Sequence, residues 1–388
     1  MFSRITTAVV CISSLFLCHS AAAQIDPGET DGRVNAINTA VPFLRISPDA
    51  RSGAMGDVGI ALSPDANSVY WNLSKLPFAP KKAAVAVTYT PWLKELVSDV
   101  FLAHLSGYTQ LDEYSSIGGS LRYFSLGDIE FRDLGGANQG NFRPREFAVD
   151  AGYARRLSNH FSLAVALRYI HSSLASGLTP ENQPIRPGRA VSADLSGFYT
   201  KDFEKDDGLK NTFNFGFAIT NIGTKISYTQ SAQKDFLPTN LGLGTSYTFG
   251  LDEYNKISLA LDINKLLVPS PKTDSTYPDK GVLEGMFSSF GDAPGGFKEE
   301  LHELMYSLGM EYWYNNQFAV RAGYYNEHQT KGNRKYFTAG LGVKYDIFGL
   351  NFSYLVPSGT GIQRNPLSNT LRFTLTFDLS RDDKDDAQ

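Results

Sequence analysis

From about Ala83 onward the chain runs in segments of roughly ten residues in which apolar side chains alternate with polar or small ones. Successive side chains of an extended strand point to opposite faces, so this pattern describes strands that are apolar on one side only. In one segment Phe161, Leu163, Val165, Leu167 and Tyr169 oppose Ser162, Ala164, Ala166 and Arg168. Tyr306, Leu308, Met310 and Tyr312 oppose Ser307, Gly309 and Glu311 in the same way, and Phe337 to Tyr345 repeats the arrangement. The final segment sets Leu371, Phe373, Leu375 and Phe377 against Thr370, Arg372, Thr374 and Thr376. A soluble β-sandwich and a membrane barrel both use such strands. An aromatic content of 13% with a mean hydropathy of only −0.22 suits either.

Two details favour lipid over a soluble core. Several apolar faces carry rings at both ends and aliphatic residues between them, the layout of the aromatic girdles at the two headgroup levels. The opposite faces carry Arg168, Asp194, Asp262, Glu311, Arg321 and Arg372. Charges like these are tolerated in a hydrated lumen and are very costly in a dry sandwich interior. No apolar run reaches the roughly 18 residues that a spanning helix needs.

Counting gives an all-β, transmembrane antiparallel β-barrel of about fourteen strands, an even number as single-chain bacterial barrels require. Short connections (Arg156–His160, Gly250–Lys256, Asn315–Gln317, Asp346–Gly349) alternate with long ones (Gly127–Pro144, Leu174–Arg189, Thr224–Thr239, Lys265–Glu303, Pro357–Ser368). That is the asymmetry of periplasmic turns and external loops, and it places both termini in the periplasm. Asp202–Asn211 is the one periplasmic turn of unexpected length. A barrel of this size has a lumen that its own side chains cannot fill. The stretch from Gln24 to Lys81 lacks alternation and is the expected plug.

The N-terminus has the layout of a secretory signal peptide: Arg4, an apolar run from Ile5 to Leu17, then Ala21-Ala22-Ala23. Cys18 follows the bulky Leu17, which argues against a lipid-attachment site. The expected organisation is therefore a signal peptide over 1–23, an N-terminal periplasmic or hatch segment over 24–81, the barrel over 82–379 and a periplasmic tail over 380–388. Both cysteines, Cys11 and Cys18, fall in the segment to be removed, which excludes disulfides and thiolate chemistry from the mature chain. Removing Arg4 takes 36 basic residues to 35 against 40 acidic ones. With no basic block, nucleic acid is not an expected partner.

Within the hatch segment stand Phe43-Leu44-Arg45-Ile46-Ser47-Pro48-Asp49-Ala50-Arg51-Ser52-Gly53-Ala54-Met55-Gly56-Asp57 and Asp65-Ala66-Asn67-Ser68-Val69-Tyr70-Trp71-Asn72. These resemble the N-terminal hatch of FadL-like outer-membrane transporters, with Leu73-Ser74 where that group has Pro-Ala. The Phe-Leu-Arg-Ile…Pro-Asp-Ala-Arg form is more similar to the PorV (LptO) barrels of the type IX secretion system. The strand phrase from Asn214 to Gly223 fits the same group. The resemblance picks out Arg45, Gly53, Met55, Gly56, Asp65, Tyr70 and Asn72 as the hatch motif. It implies a non-enzymatic barrel, integral to the outer membrane of a Gram-negative bacterium. Such a protein would take cargo bearing a C-terminal signal domain from the large translocon barrel (SprA/Sov-like). It would pass the cargo to a PorU-like sortase and attachment complex, which joins it to lipopolysaccharide.

Other readings of single features are weaker. Gly53, Gly56 and Gly59 follow no strand and precede no Gly-Lys-Ser/Thr, so they read as permissive positions of a compact plug and not as a phosphate loop. None of the mature histidines (His104, His160, His171, His302, His328) stands at metal spacing, and neither metal nor cofactor is expected. His171 continues the lipid-facing register, which places it in a girdle and not in a catalytic dyad. The lumenal charges are expected to pair with one another, with water and with the hatch. The loop Lys265–Glu303 reads either as a partner-binding surface, with Met286, Phe287 and Phe290 as apolar anchors, or as a cap over the barrel mouth. Two alternative functions stand beside the carrier: a FadL-like transporter of hydrophobic small molecules, and an envelope lipid deacylase suggested by the LptO name.

Overall fold

The computed structural model describes residues 35–92, 99–132, 135–136, 138–174, 185–206, 208–229, 234–271, 279–357 and 370–379. The signal peptide and the C-terminal tail read from the sequence lie outside these residues.

Fourteen antiparallel strands close into one barrel. In chain order they are β1 (Ala83–Pro91), β2 (Val100–Gln110), β3 (Ser115–Leu126), β6 (Arg145–Arg156), β7 (Phe161–Ser173), β8 (Gly188–Glu204) and β9 (Lys210–Gly223). The second half comprises β10 (Asn240–Gly250), β11 (Asn255–Leu266), β12 (Met305–Tyr314), β13 (Phe318–Asn326), β14 (Lys335–Tyr345), β15 (Phe348–Pro357) and β16 (Leu371–Asp378). A separate hairpin, β4 (Ile129–Arg132) with β5 (Asn138–Phe142), rises from the long connection between β3 and β6. The seam pairs β1 with β16, from Ala84↔Asp378 to Tyr89↔Phe373, so the wall has no free edge for lipid to meet.

The short turns follow from their residues. Asn315 and Asn316 both adopt positive φ (51° and 50°), the requirement of a two-residue hairpin turn whose twist matches its strands. The turn that looked too long, Asp202–Asn211, is mostly ladder: β8 and β9 pair out to Glu204↔Lys210.

The two faces divide as the alternation predicts. Val165 and Leu167 are 53% and 62% exposed on the outside of β7, while Ala164, Ala166 and Arg168 between and beside them are buried. His171 lies on the outer face, its ring stacked on Phe147 at 5.0 Å. A charge at the middle of this band has no water to reach. Val165→Arg should therefore cost about 2–4 kcal/mol in urea unfolding of the inserted protein. Val165→Leu, which keeps the surface apolar, should be near neutral, and equal stability of the two variants would mean the register is misread. Ala166→Arg, on the lumenal face, is expected to be mild only where it clears the N-terminal segment, and Ala166 packs in one cluster with Leu73 and Leu76 of that segment.

That segment fills the lumen. Its short helices Ala50–Gly53 and Ser68–Trp71 and the 3-10 turn Leu73–Phe78 contact strands on opposite sides of the barrel. The termini that strand parity assigns to the periplasm lie outside the described residues. Leu379 N–H donates to Ala83 O (2.9 Å), so the wall begins and ends at the short-turn rim. Asn35 lies at the opposite, long-loop rim, where its N–H donates to Thr330 O (3.0 Å) and its amide to Glu299 (2.9 Å). The first described residue is thus not on the periplasmic side. Strand parity fixes only the ends of the wall and is blind to the direction in which a segment without strands crosses it.

Candidate functional site: a bolted hatch and a capped rim

Three groups of bonds hold the hatch to the wall. In the first, Asp49 caps the helix Ala50–Gly53 by accepting from Ser52 N–H (2.8 Å) and also accepts from the Trp71 indole (2.7 Å). This fixes Arg51, which forks onto Glu311 of β12 (3.0 and 2.8 Å) and reaches Asp65 (3.0 Å). Arg321 of β13 donates to the same Glu311 (2.7 Å). One buried carboxylate therefore serves a cation from the hatch and a cation from the wall. A charge-assisted fork joined by a further charge-assisted bond exceeds an exposed pair in strength.

The second group is a backbone loop. Gly59 and Ile60 donate their N–H groups to Asp262 of β11 (2.8 and 3.0 Å). Lys75 donates to Gly59 O (2.7 Å). Asn72 donates to Ile60 O and to Gly197 O of β8 (both 3.1 Å) and accepts from Ser74 N–H (3.1 Å), so one amide joins two hatch turns and the wall.

The third group is steric. Met55 is fully buried and Gly56 has φ 70°; a Cβ on Gly56 would lie 2.6 Å from the backbone of Tyr324. Across the contact, a Cβ on Gly323 of β13 would lie 2.1 Å from Gly56 N and Met55 C. Only glycine on both sides allows the two backbones to approach this closely. Gly56 N–H also donates to Thr338 Oγ1 (2.8 Å).

The sequence motif is thus brought together inside the barrel. Gly53 lies against the Arg372 guanidinium, Asp65 binds Arg51 and the N–H of Asn67, and the Tyr70 hydroxyl donates to Leu44 O beneath Arg122. Arg45 stands apart, and its guanidinium donates to the Met305 thioether (2.9 Å). Sequence reading missed Asp49, Arg51, Trp71 and Lys75 as individual bolts. The first three lie within the quoted motif phrases, but Asp49 and Trp71 meet across 22 positions and Arg51 meets Glu311 across 260, contacts that the phrases do not reveal. The lumenal charges pair as expected: Arg168 with Asp150 and Asp194, Arg321 with Glu311, and Arg372 with Asp57.

Among the described residues, a cavity lies on each side of the hatch. The one toward the long loops measures about 110 Å³, and the one toward the short turns about 420 Å³.

Over the long-loop rim, the described residues between Lys265 and Glu303 include two short helices, Val282–Ser288 and Phe297–His302. Glu303 and Glu300 accept from Lys265, while Glu303 and Glu299 accept from Lys331, which pins the second helix to the end of β11 and to the loop between β13 and β14. Phe287 and Phe290 point outward, 76% and 53% exposed, as the sequence suggested. Met286 does not. It is only 8% exposed, because helical spacing turns Met286 and Gly285 inward, Gly285 against Phe236 and Pro269, while Leu283 and Phe287 share the outer side. Phe297 and Leu301, four positions apart, add a second exposed apolar face that sequence reading passed over. The loop also stacks His302 on His328 with ring centroids 3.6 Å apart, a pair that linear spacing could not reveal.

The sequence matches the family model described as "Type IX secretion system protein PorV" over residues 29–273. No curated protein matches it. Among solved structures, it is similar to the toluene transporter TodX of Pseudomonas putida, with 12% identity, 86% of this chain and 99% of that one covered, and a TM-score of 0.49. It is also similar to the toluene transporter TbuX of Ralstonia pickettii (9% identity, 85% and 97% covered, TM-score 0.44) and to a FadL homologue of Pseudomonas aeruginosa (9%, 89% and 100%, TM-score 0.42). Likenesses at this level carry nothing about what passes through or binds the present barrel.

Proposed function

The chain belongs to the PorV family of type IX secretion outer-membrane proteins, and from that membership we propose that it is a non-enzymatic carrier. It binds the C-terminal signal domain of exported cargo at the translocon and brings the cargo to the sortase and attachment complex at the cell surface. The observation that carries this reading over transport of hydrophobic molecules is the bolted lumen. A conduit would have to release Arg51 from Glu311, Gly59 and Ile60 from Asp262, and Asn72 from Gly197 on three parts of the wall. Docking at the rim requires none of these bonds to break. The outward apolar residues of the cap supply the kind of contact on which interface energy concentrates.

Deleting the gene and profiling surface proteins tests the role. Joint loss from the surface of many proteins that share a C-terminal domain is expected; a selective loss of hydrophobic-substrate uptake would move the assignment to a transporter. The cap is tested separately by Phe287→Asp combined with Phe290→Asp. This pair should leave the barrel inserted and heat-modifiable on gels but reduce co-purification of translocon, sortase or cargo. Undiminished recovery of every partner, normalised to barrel abundance, would remove the cap from the docking surface.

A further inference from the structure

The cavity of about 110 Å³ beneath the long loops has Arg45, Asp57, Arg168 and Arg334 among its lining residues. Three of these four charges are matched by opposite ones. Arg168 is held by Asp150 and Asp194, Arg334 forks onto Glu327 (2.6 and 2.9 Å), and Asp57 accepts from Tyr336 and lies 3.7 Å from Arg372. Arg45 is the exception. Among the described residues no carboxylate lies within ion-pair distance of it, and its one hydrogen-bond partner is the Met305 sulfur, a weak acceptor for a group with five N–H donors. The neutral amides nearby are engaged elsewhere, Asn240 with Asn264 (2.9 Å) and Asn221 with Pro238 O (3.0 Å). Arg45 is half-buried at the cavity wall, and among the described residues no carboxylate neutralises it at contact distance. The space is ample, since one water needs only about 10–15 Å³ measured in this way.

We propose that this cavity is a binding site for a single oxyanionic group, a carboxylate or a phosphate, with Arg45 as its principal ligand. Arg45 belongs to the hatch, whereas Arg168 and Arg334 belong to β7 and to the approach to β14. An anion seated among them would act as a further bolt between plug and wall, on the surface side where the three bond groups above do not reach. This site is independent of the carrier reading, and cargo delivery could fail or succeed without bearing on it.

The test uses the purified full chain in a zwitterionic detergent, with thermal unfolding followed in sodium phosphate, sodium acetate and sodium chloride at equal pH and ionic strength. A saturable upward shift of a few degrees is expected with phosphate or acetate over chloride, as for any ligand that binds only the folded state. The shift should vanish in Arg45→Gln and persist in part in Arg45→Lys. Native mass spectrometry of the wild type supplies a second readout that needs no variant. A saturable phosphate or acetate adduct, or a co-purified lipid phosphate identified by its mass, supports the site and tells a free anion from a headgroup. No shift and no adduct with any of these anions, or a shift of equal size in Arg45→Gln, would overturn it.

Discussion

Gly323→Val is expected to turn a silent barrel into a conducting one. The new side chain would begin 2.1 Å from the backbone of Met55 and Gly56, atoms that cannot rotate away, so the hatch has to leave its seat. The wall should survive, because Gly323 pairs normally with Gly309 and Thr338 and the added methyls point into the lumen. A barrel of this strand number without its plug encloses space that side chains do not fill. In a planar bilayer the wild type should show almost no steady current, whereas the variant should show a stable open level and should lose protease protection between Asn35 and Ala79. A variant as silent and as protected as the wild type would show that the hatch is not held where the two glycines place it.

Removing Glu311 should produce the largest loss of stability from a single truncation in the lumen. The carboxylate is shared by Arg51 and Arg321, and its loss strands two guanidinium groups, each nearly enclosed. Breaking a buried pair in this way costs about 3–5 kcal/mol, and the lower end applies here because Arg51 borders the short-turn cavity and retains Asp65. Urea unfolding of Glu311→Ala in refolding detergent gives the number. The triple variant Glu311→Leu, Arg51→Met, Arg321→Met should recover most of the loss, because the cost lies in uncompensated charge and not in lost volume. A loss below about 1 kcal/mol for Glu311→Ala would be the mark of a surface ion pair and would contradict the buried geometry.

The wall was legible in the sequence because its physics is local. Alternation at period two marks a strand and its lipid side without knowledge of its neighbours, and Asn315-Asn316 announces its own turn. The direction of the hatch was not legible, since no periodicity accompanies a segment that crosses a lumen in short turns. Helical phase in the cap was missed for a related reason: Leu283 and Phe287, or Phe297 and Leu301, form helices too short to show a repeat. Met286 looked like an anchor by composition and proved to be packing. The charged lumenal residues could be placed on the correct face, but which acid meets which base depends on the register of strands and on a plug far away in sequence. Arg51 with Glu311 and Asp262 with Gly59 are pairs of that kind.

The course of the N-terminal segment also bears on how the ring closes. The strand ring encircles a threaded chain, and its seam unites β1 with β16, from opposite ends of the barrel sequence. That closure brings together the most distant partners in the wall and bears the largest loop entropy. The hatch is positioned to lower this barrier, because it grips both sides of the seam: Ala50 N–H donates to Thr374 Oγ1 of β16, Asn67 accepts from Ser106 of β2, and Thr374 in turn meets Thr88 of β1. A chain with its hatch collapsed early would carry a mandrel around which the first and last strands are gathered. The rate of closure would then depend on residues that never become part of the wall.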